Sequence, residues 1–223
     1  MTAIITYAHV SLWKAIFSLS NKNLINIYRN KSNRKKELLE SIWVFLNYRH
    51  YFRNVILLEC VMKKTPRYLQ AIPDCQFACS FNRLKTMNKG ILEFENISNY
   101  LLKDSVPDNE IILKLTGRYL IKKGDFINFA CNSTSSFVVR KDSDVWGERG
   151  RGVHTFLFAA QAIVLKEFNN WLIDGNRYLA YGMTPVEWIF AEYLDQSSYG
   201  GIYYPHSLNV LARYSSPLTP MDV

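Results

Sequence analysis

Apolar positions along this chain follow two different periods, one typical of buried strands and one typical of helices. Mostly apolar runs occur at residues 3–7, 54–60 and 111–115, as expected of strands that are covered on both faces. Apolar residues recur every three to four positions at 35–48 and 89–102, which predicts helices with one buried face. Strands that alternate with helices indicate an α/β fold with a mainly parallel central sheet flanked by helices.

Shorter patterns predict the rest of the chain. They indicate strands at residues 76–80, 137–140 and 208–214, a strand that continues as a helix at 153–166, and a helix at 185–194. Asn88 precedes the helix at 89–102 and is its predicted N-cap, because an Asn oxygen accepts hydrogen bonds from free helical N–H groups. The tail at 215–223 contains two prolines and is predicted to be irregular.

Length and charge limit the classes of protein to consider. A chain of 223 residues with 48% hydrophobic residues is long enough for one substantial core, which predicts a single domain. The net charge of +8 favours phosphorylated substrates, an acidic membrane surface or another polyanion as partner. The alternative is an ordinary basic surface. Specific nucleic-acid binding is not expected, because charge is its sole support and no recognisable module accompanies it.

The cysteines and the apolar runs bear on compartment. Cys75 and Cys79 lie four residues apart, with no second pair or histidine close by in sequence, which disfavours a zinc site and favours free thiols. The first residues lack the charged-then-apolar order of a signal peptide. No apolar run approaches the roughly 18 residues that a membrane span requires. We therefore expect a cytoplasmic protein, with peripheral contact to a membrane as an open alternative.

The strongest candidate for a binding site follows the strand at 111–115. This strand leads directly into a polar cluster: Lys114, Thr116, Gly117, Arg118 and Tyr119. In an open α/β sheet, ligands bind beyond the carboxyl ends of the strands, so a cation, a hydroxyl and a phenol at this position suit an anionic substrate. In the structural alternative, the glycine permits a tight bend and the tyrosine packs in the core.

Further candidates lie between residues 142 and 154. Asp142 and Asp144 are two residues apart, so on a regular strand both carboxylates face one side, as joint ligation of a metal requires. Trp146 can stack on the ring of a bound substrate or pack in the core, and Arg151 belongs either to a loop that closes over a substrate or to a surface turn. His154 is a candidate metal ligand or substrate contact, or a hydrogen-bonded histidine at the start of a strand.

The order of elements, together with two short motifs, resembles that of a small glycosyltransferase of the GT-A type. Asn88-Lys89-Gly90 is similar to the Asn-x-Gly helix start of these enzymes. Lys114-Leu115-Thr116-Gly117-Arg118-Tyr119 resembles a motif of small polysaccharide-biosynthesis transferases. The resemblance covers about residues 3–194 and implies a single Rossmann-like GT-A-type domain. It further implies a nucleotide-binding half at 1–107, and a metal and acceptor half at 108–214.

The resemblance implies a nucleotide-sugar donor, a glycan or related acceptor, and a divalent metal, Mn or Mg. The usual Asp-x-Asp does not end the strand after the Asn-x-Gly helix. Either Asp142 and Asp144 hold the metal, or Arg118 takes its place as the counter-charge to the diphosphate. The missing motif also leaves open a degenerate scaffold that binds nucleotides or polyanions without catalysis.

A carboxylate at the start of the predicted helix at 185–194 is the candidate general base. Glu187 follows Pro185, in the region where these enzymes often place an acidic residue, and it could accept the proton of an acceptor hydroxyl. The same residues also fit a capping box, with Thr184 as N-cap, Pro185 as first helical residue and Glu187 as partner.

Overall fold

The computed structural model describes residues 1–7, 35–60, 66–79, 83–117, 119–142, 152–212 and 221–222. Its strands are β1 (Thr2–Tyr7), β2 (Asn54–Glu59), β3 (Gln76–Cys79), β4 (Ile111–Thr116), β5 (Tyr119–Ile121), β6 (Phe137–Val139), β7 (Lys141–Asp142), β8 (Gly152–Val153), β9 (Leu157–Gln161), β10 (Gly201–Tyr203), β11 (Val210–Ala212) and β12 (Met221–Asp222). Its helices are α1 (35–46), α2 (Arg67–Gln70), α3 (Lys89–Lys103), α4 (Asp125–Asn132), α5 (Ala162–Ile173), α6 (Arg177–Ala180) and α7 (Val186–Gln196).

The central sheet has seven strands in the order β10-β6-β9-β4-β1-β2-β3. All neighbouring pairs are parallel except those of β9, which runs antiparallel to both β4 and β6. This confirms the predicted α/β fold with a mainly parallel central sheet. The parallel strands β1, β2, β4 and β6 all end at one edge, which we call the carboxyl edge.

Each face of the sheet has its own hydrophobic core. Successive residues of a strand point to opposite faces, so Ile5 and Leu113 pack with residues of α1, whereas Ile4 and Ile112 pack with residues of α3 and α5. We call these the α1 face and the α3 face. Three-layer burial of this kind explains why the central strands are apolar throughout their length.

Helix starts show one success and one error of the sequence prediction. Asn88 is the N-cap of α3, and its side-chain oxygen accepts hydrogen bonds from the N–H groups of Gly90 (3.1 Å) and Ile91 (3.3 Å). The predicted capping box at α7 is wrong, because Pro185 itself is the N-cap and, within the described residues, no side chain caps this helix. The carboxylate of Glu187 is bonded elsewhere.

Several short elements differ from the prediction. The residues after β4 do not form a simple polar bend, because β5 begins at Tyr119 and pairs with β11, which in turn pairs with β12. The tail predicted to be irregular therefore contributes a two-residue strand, β12. Helix α4 and strand β10 were not predicted.

Among the helices that the structure describes, we find none that is both long enough and apolar enough to cross a membrane.

Candidate active site at the carboxyl edge

A buried lysine lies under the carboxyl edge, on the α3 face. Lys114 is 0% exposed, and its ammonium group is held by three acceptors: Glu93 Oε1 at 3.0 Å, Thr116 Oγ1 at 2.7 Å and the Thr155 carbonyl at 2.5 Å. An ammonium group has three donors, so each one has a protein partner. Burial of a charge is tolerated when it is paired and fully hydrogen-bonded, as this one is. Lys114 thus links Glu93, Thr116 and Thr155 beneath the carboxyl edge.

Glu93 joins α3 to the ends of two strands. One oxygen, Oε1, receives the Lys114 ammonium, the Thr116 hydroxyl at 3.2 Å and the Thr6 hydroxyl. Thr6 and Thr116 lie at the ends of β1 and β4, so the carboxylate ties both strands to the helix. Its side chain is 20% exposed, so the network meets solvent here.

Thr155 connects this network to the predicted base. Its carbonyl accepts from Lys114, and its hydroxyl donates to Glu187 Oε1 at 3.0 Å. Glu187 is partly exposed in the first turn of α7, where the helix dipole favours a negative charge. The structure therefore joins Glu187, through Thr155, to two residues of the separately predicted cluster, Lys114 and Thr116. Within the described part of the chain, the second carboxylate oxygen of Glu187 has no hydrogen-bond partner.

Gly117 has a packing role. Its N–H donates to the Thr6 carbonyl at 2.8 Å, and a side chain there would place a Cβ 2.5 Å from Leu38 Cδ1 of α1. Only a glycine allows α1 to approach the end of β4 this closely. The need for glycine at the predicted bend thus comes from the close packing of Leu38 on the α1 face.

The predicted site residues Tyr119 and His154 are both buried, and both of their rings contact the ring of Phe156. Tyr119 stacks on Phe156 at a centroid distance of 4.4 Å, and the His154 ring lies 4.9 Å from the same phenyl group. The backbone N–H of His154 donates to the Arg140 carbonyl at 2.8 Å, and the backbone N–H of Thr116 donates to the Phe156 carbonyl. These residues form the floor beside the network, and Phe156 was absent from the prediction.

Other predicted site residues fall outside the described part of the chain. These are Arg118, Asp144, Trp146 and Arg151. Asp142 is described only by its backbone, which pairs with Gly152 in the ladder of β7 and β8. Their predicted roles in binding and metal ligation stay predictions.

The thiol of Cys60, which directly follows β2, lies near the carboxylates of Glu59 and Glu93. Burial, and secondarily the negative charges of Glu93 and Glu59, raise the pKa of Cys60 well above its ordinary value of 9.0. The thiol therefore stays protonated at neutral pH and is a poor nucleophile. All four cysteines are free, as predicted. The candidate reactive groups at this edge are therefore carboxylates and hydroxyls, not the Cys60 thiol.

Glu93, Thr6 and Thr155 are the site residues that the sequence prediction missed. Glu93 falls three residues after Gly90 and four before Ile97, which puts it on the face of α3 that meets the sheet. The sequence signal that could have identified Glu93 was a carboxylate on the helical face predicted to be buried. Thr155 carried none, since its position depends on the pairing of β7 with β8.

The described carboxylates at this edge do not form a metal centre. Among residues 1–7, 35–60, 66–79, 83–117, 119–142, 152–212 and 221–222, no group of three or more His, Cys, Asp or Glu side chains is arranged to hold a metal ion. Glu93 already accepts three donors through one oxygen, which makes it a structural carboxylate.

Comparison with known proteins identifies the fold. Neither a family model nor a curated protein matches the sequence. A nucleoside-diphosphate-sugar pyrophosphorylase from Vibrio cholerae RC9 is similar in structure, with a TM-score of 0.55, 12% identity and coverage of 95% of each chain. A 4-diphosphocytidyl-2C-methyl-D-erythritol synthase gives a TM-score of 0.53 at 11% identity, covering 97% of this chain and 92% of that one.

The galactosyltransferase LgtC, in complex with donor and acceptor sugar analogues, gives a TM-score of 0.52 at 10% identity. The match covers 91% of this chain and 73% of that one. At these identities the likeness is one of fold. The predicted GT-A-like architecture is therefore confirmed, and the six-residue motif at Lys114 is not tested by it.

Proposed function

We propose that this protein is a glycosyltransferase that moves a sugar from a nucleotide-sugar donor to a hydroxyl of a glycan or related acceptor. The observation that carries the proposal is the placement of Glu187. This carboxylate is partly exposed at the carboxyl edge and is held there by Thr155, whose carbonyl is fixed by the buried Lys114. A positioned base at this edge of an α/β sheet is what the transfer requires.

The proposed reaction exchanges one bond at the sugar for another. The acceptor oxygen forms a bond to the anomeric carbon, the bond from that carbon to the diphosphate breaks, and the nucleoside diphosphate leaves. Glu187 accepts the proton of the acceptor hydroxyl. Thr116, a partly exposed member of the hydrogen-bond network, is proposed to bind the donor. Arg118 is proposed to supply a fixed positive charge opposite the diphosphate.

A divalent metal is proposed to be held by Asp142 and Asp144, where it would neutralise charge on the leaving diphosphate. The remaining predictions complete the proposal. Residues 1–107 supply the nucleotide-binding half, and 108–214 supply the acceptor half, with Trp146, Arg151 and His154 beside the sugars. We also propose a cytoplasmic location with peripheral contact to a membrane.

The second candidate is a nucleotidyltransferase that makes an activated sugar or alcohol. It is favoured by the extent of the structural likeness, since the match covers 95% of the pyrophosphorylase chain but 73% of LgtC. In that case a nucleoside triphosphate is the donor and pyrophosphate leaves. Both candidates place a nucleotide at the carboxyl edge, so the leaving group distinguishes them.

Thermal melting against nucleotides and nucleotide sugars, with and without manganese, tests the proposal. A ligand that binds only the folded state raises the melting temperature. We expect a nucleotide sugar to raise it and to be hydrolysed slowly to a nucleoside diphosphate. A shift with nucleoside triphosphates and release of pyrophosphate from triphosphate and sugar phosphate would favour the second candidate. Binding without turnover would favour the degenerate scaffold, and a complete absence of shifts would refute all three.

A further inference from the structure

Large apolar side chains stand exposed where α3 and α7 begin. Met87 is 90% exposed, Met183 is 94% exposed and Leu179 is 58% exposed. Single apolar residues on a surface need no explanation, but a group of them marks an interaction site. These three belong to two segments that are distant in sequence, so their proximity must be shown.

The side chain of Asn88 joins the two segments. Its amide nitrogen donates to the carbonyls of Tyr181 at 3.1 Å and Thr184 at 2.7 Å, so Met87 and Met183 each adjoin this link. Gly90 also packs directly on Val186, where a side chain would collide. We call this area the methionine surface: Met87, Leu179 and Met183, with Arg83, Lys85, Lys89 and Arg177.

The methionine surface carries excess positive charge. Residues 83–89 and 177–184 together contain four Lys and Arg residues and no Asp or Glu. Three carboxylates contact or border it. The buried Glu95 accepts from the backbone N–H groups of Arg83 at 2.7 Å and Leu84 at 3.0 Å, Asp174 pairs with Arg177 at 3.1 Å, and Glu192 accepts from the Tyr181 hydroxyl at 2.9 Å. The surplus charge therefore lies in segment 83–89, whose Arg and two Lys residues are all exposed.

This surface adjoins the candidate active site. Glu93 lies one turn beyond Lys89 in α3, and Glu187 lies four residues beyond Met183. Glu93 contacts the ends of β1 and β4, so both helices begin at the carboxyl edge. Whatever binds the methionine surface is held next to the opening of the site.

We propose that the methionine surface docks on an anionic lipid bilayer. Unbranched, flexible methionine side chains adapt to a fluid acyl layer, and Lys and Arg around them attract the headgroup phosphates. The pairing of exposed apolar tips with surplus cations matches the two parts of such a surface. This inference assigns a surface to the peripheral membrane contact proposed above, and it does not depend on the transferase activity, since docking is measured without any substrate.

Co-sedimentation with vesicles tests the proposal. We expect the protein to bind vesicles of phosphatidylcholine with phosphatidylglycerol, and to bind pure phosphatidylcholine vesicles much more weakly. Lys85→Gln with Lys89→Gln should weaken binding about fivefold per lysine, since each basic residue near such a surface contributes about that factor. Met87→Asp with Met183→Asp should weaken it at least about tenfold, because two apolar contacts are replaced by like charges of the lipid.

The other end of α3 supplies matched controls. Leu102 is 55% exposed there and Lys103 follows it, so Leu102→Asp with Lys103→Gln makes one change of each kind, away from the methionine surface, and lowers the net charge by two as each test variant does. This variant should bind as the unchanged protein does, with circular dichroism verifying that all variants fold. Failure of the unchanged protein to bind anionic vesicles overturns the proposal, as does equal binding by the double aspartate variant and the control.

Discussion

The two faces of the central sheet share their strands and differ in what they bury at the carboxyl edge. On the α1 face, Gly117 lets α1 approach and Leu38 fills the space. On the α3 face, Lys114 and Glu93 are joined by an ion pair with hydroxyl partners. A buried ion pair adds little net stability compared with apolar packing, so its presence on one face needs another reason. Under the proposed function, that reason is the positioning of the partly exposed Glu187 through Thr155.

Replacing Lys114 should expose the difference between the faces most strongly. Lys114→Met leaves Glu93 without its counter-charge, and breaking such a pair costs about 3 kcal/mol of unfolding free energy, the lower end of the usual range because Glu93 retains some water. Leu115→Met, at the next position of β4 and on the α1 face, should cost less than about 1.5 kcal/mol.

Urea denaturation measures both variants, and the double variant Lys114→Met with Glu93→Gln should recover part of the loss. Equal stability of the two single variants would show that the ion pair is no more sensitive than the hydrophobic core.

Replacing Glu187 should separate function from stability. Glu187→Gln keeps the bond from Thr155 but cannot accept a proton, so we expect kcat to fall by about 10²–10⁴ with a nearly unchanged melting temperature. Glu192→Gln, a later position of the same helix, is the matched control and should retain activity. Steady-state kinetics with the donor found by melting gives the answer, and a fully active Glu187→Gln would remove the proposed base.

Adding one methyl group should test the α1 face. Gly117→Ala places a Cβ 2.5 Å from Leu38 Cδ1, and overpacking of this kind costs about 1–3 kcal/mol. Combining it with Leu38→Ala should cost less than the sum of the two single variants, because the shorter side chain vacates the space. A double-mutant cycle by urea denaturation measures this coupling, and strict additivity would contradict the packing role.

The smallest expected effect concerns pH. The folded state raises the pKa of Cys60 above 9.0, so above that pH the unfolded chain loses a proton that the folded chain keeps. The contribution of Cys60 is complete below about pH 9 and is lost as pH rises, at up to about 1.4 kcal/mol per pH unit. Unfolding free energies at neutral and alkaline pH should thus decline less for Cys60→Ala, and identical declines would argue against a buried thiol.

The hydrophobic pattern was a good guide to the fold and a partial guide to the site. Runs at β1, β2 and β4 and the periodic stripe of α3 were long enough to predict, and so was the Asn88 cap. Lys114, Thr116 and Glu187 were identified as site candidates from their places at strand and helix ends. Glu93 and Thr155 were not, because a single sequence does not show which polar side chains meet when they lie 23 or 32 positions apart.

Sequence alone determined the alternation of strands and helices, the chain's positive charge and the types of polar residue that follow β4, because periodicity and composition are local properties. The tertiary structure decided that the Lys114 ammonium donates to protein acceptors and that Glu187 accepts from Thr155 instead of completing a capping box. It also decided that Asn88 links the segment of Met87 to the segment of Met183. Those outcomes depend on which strands pair and how helices cross them, and long-range packing, not local pattern, sets both.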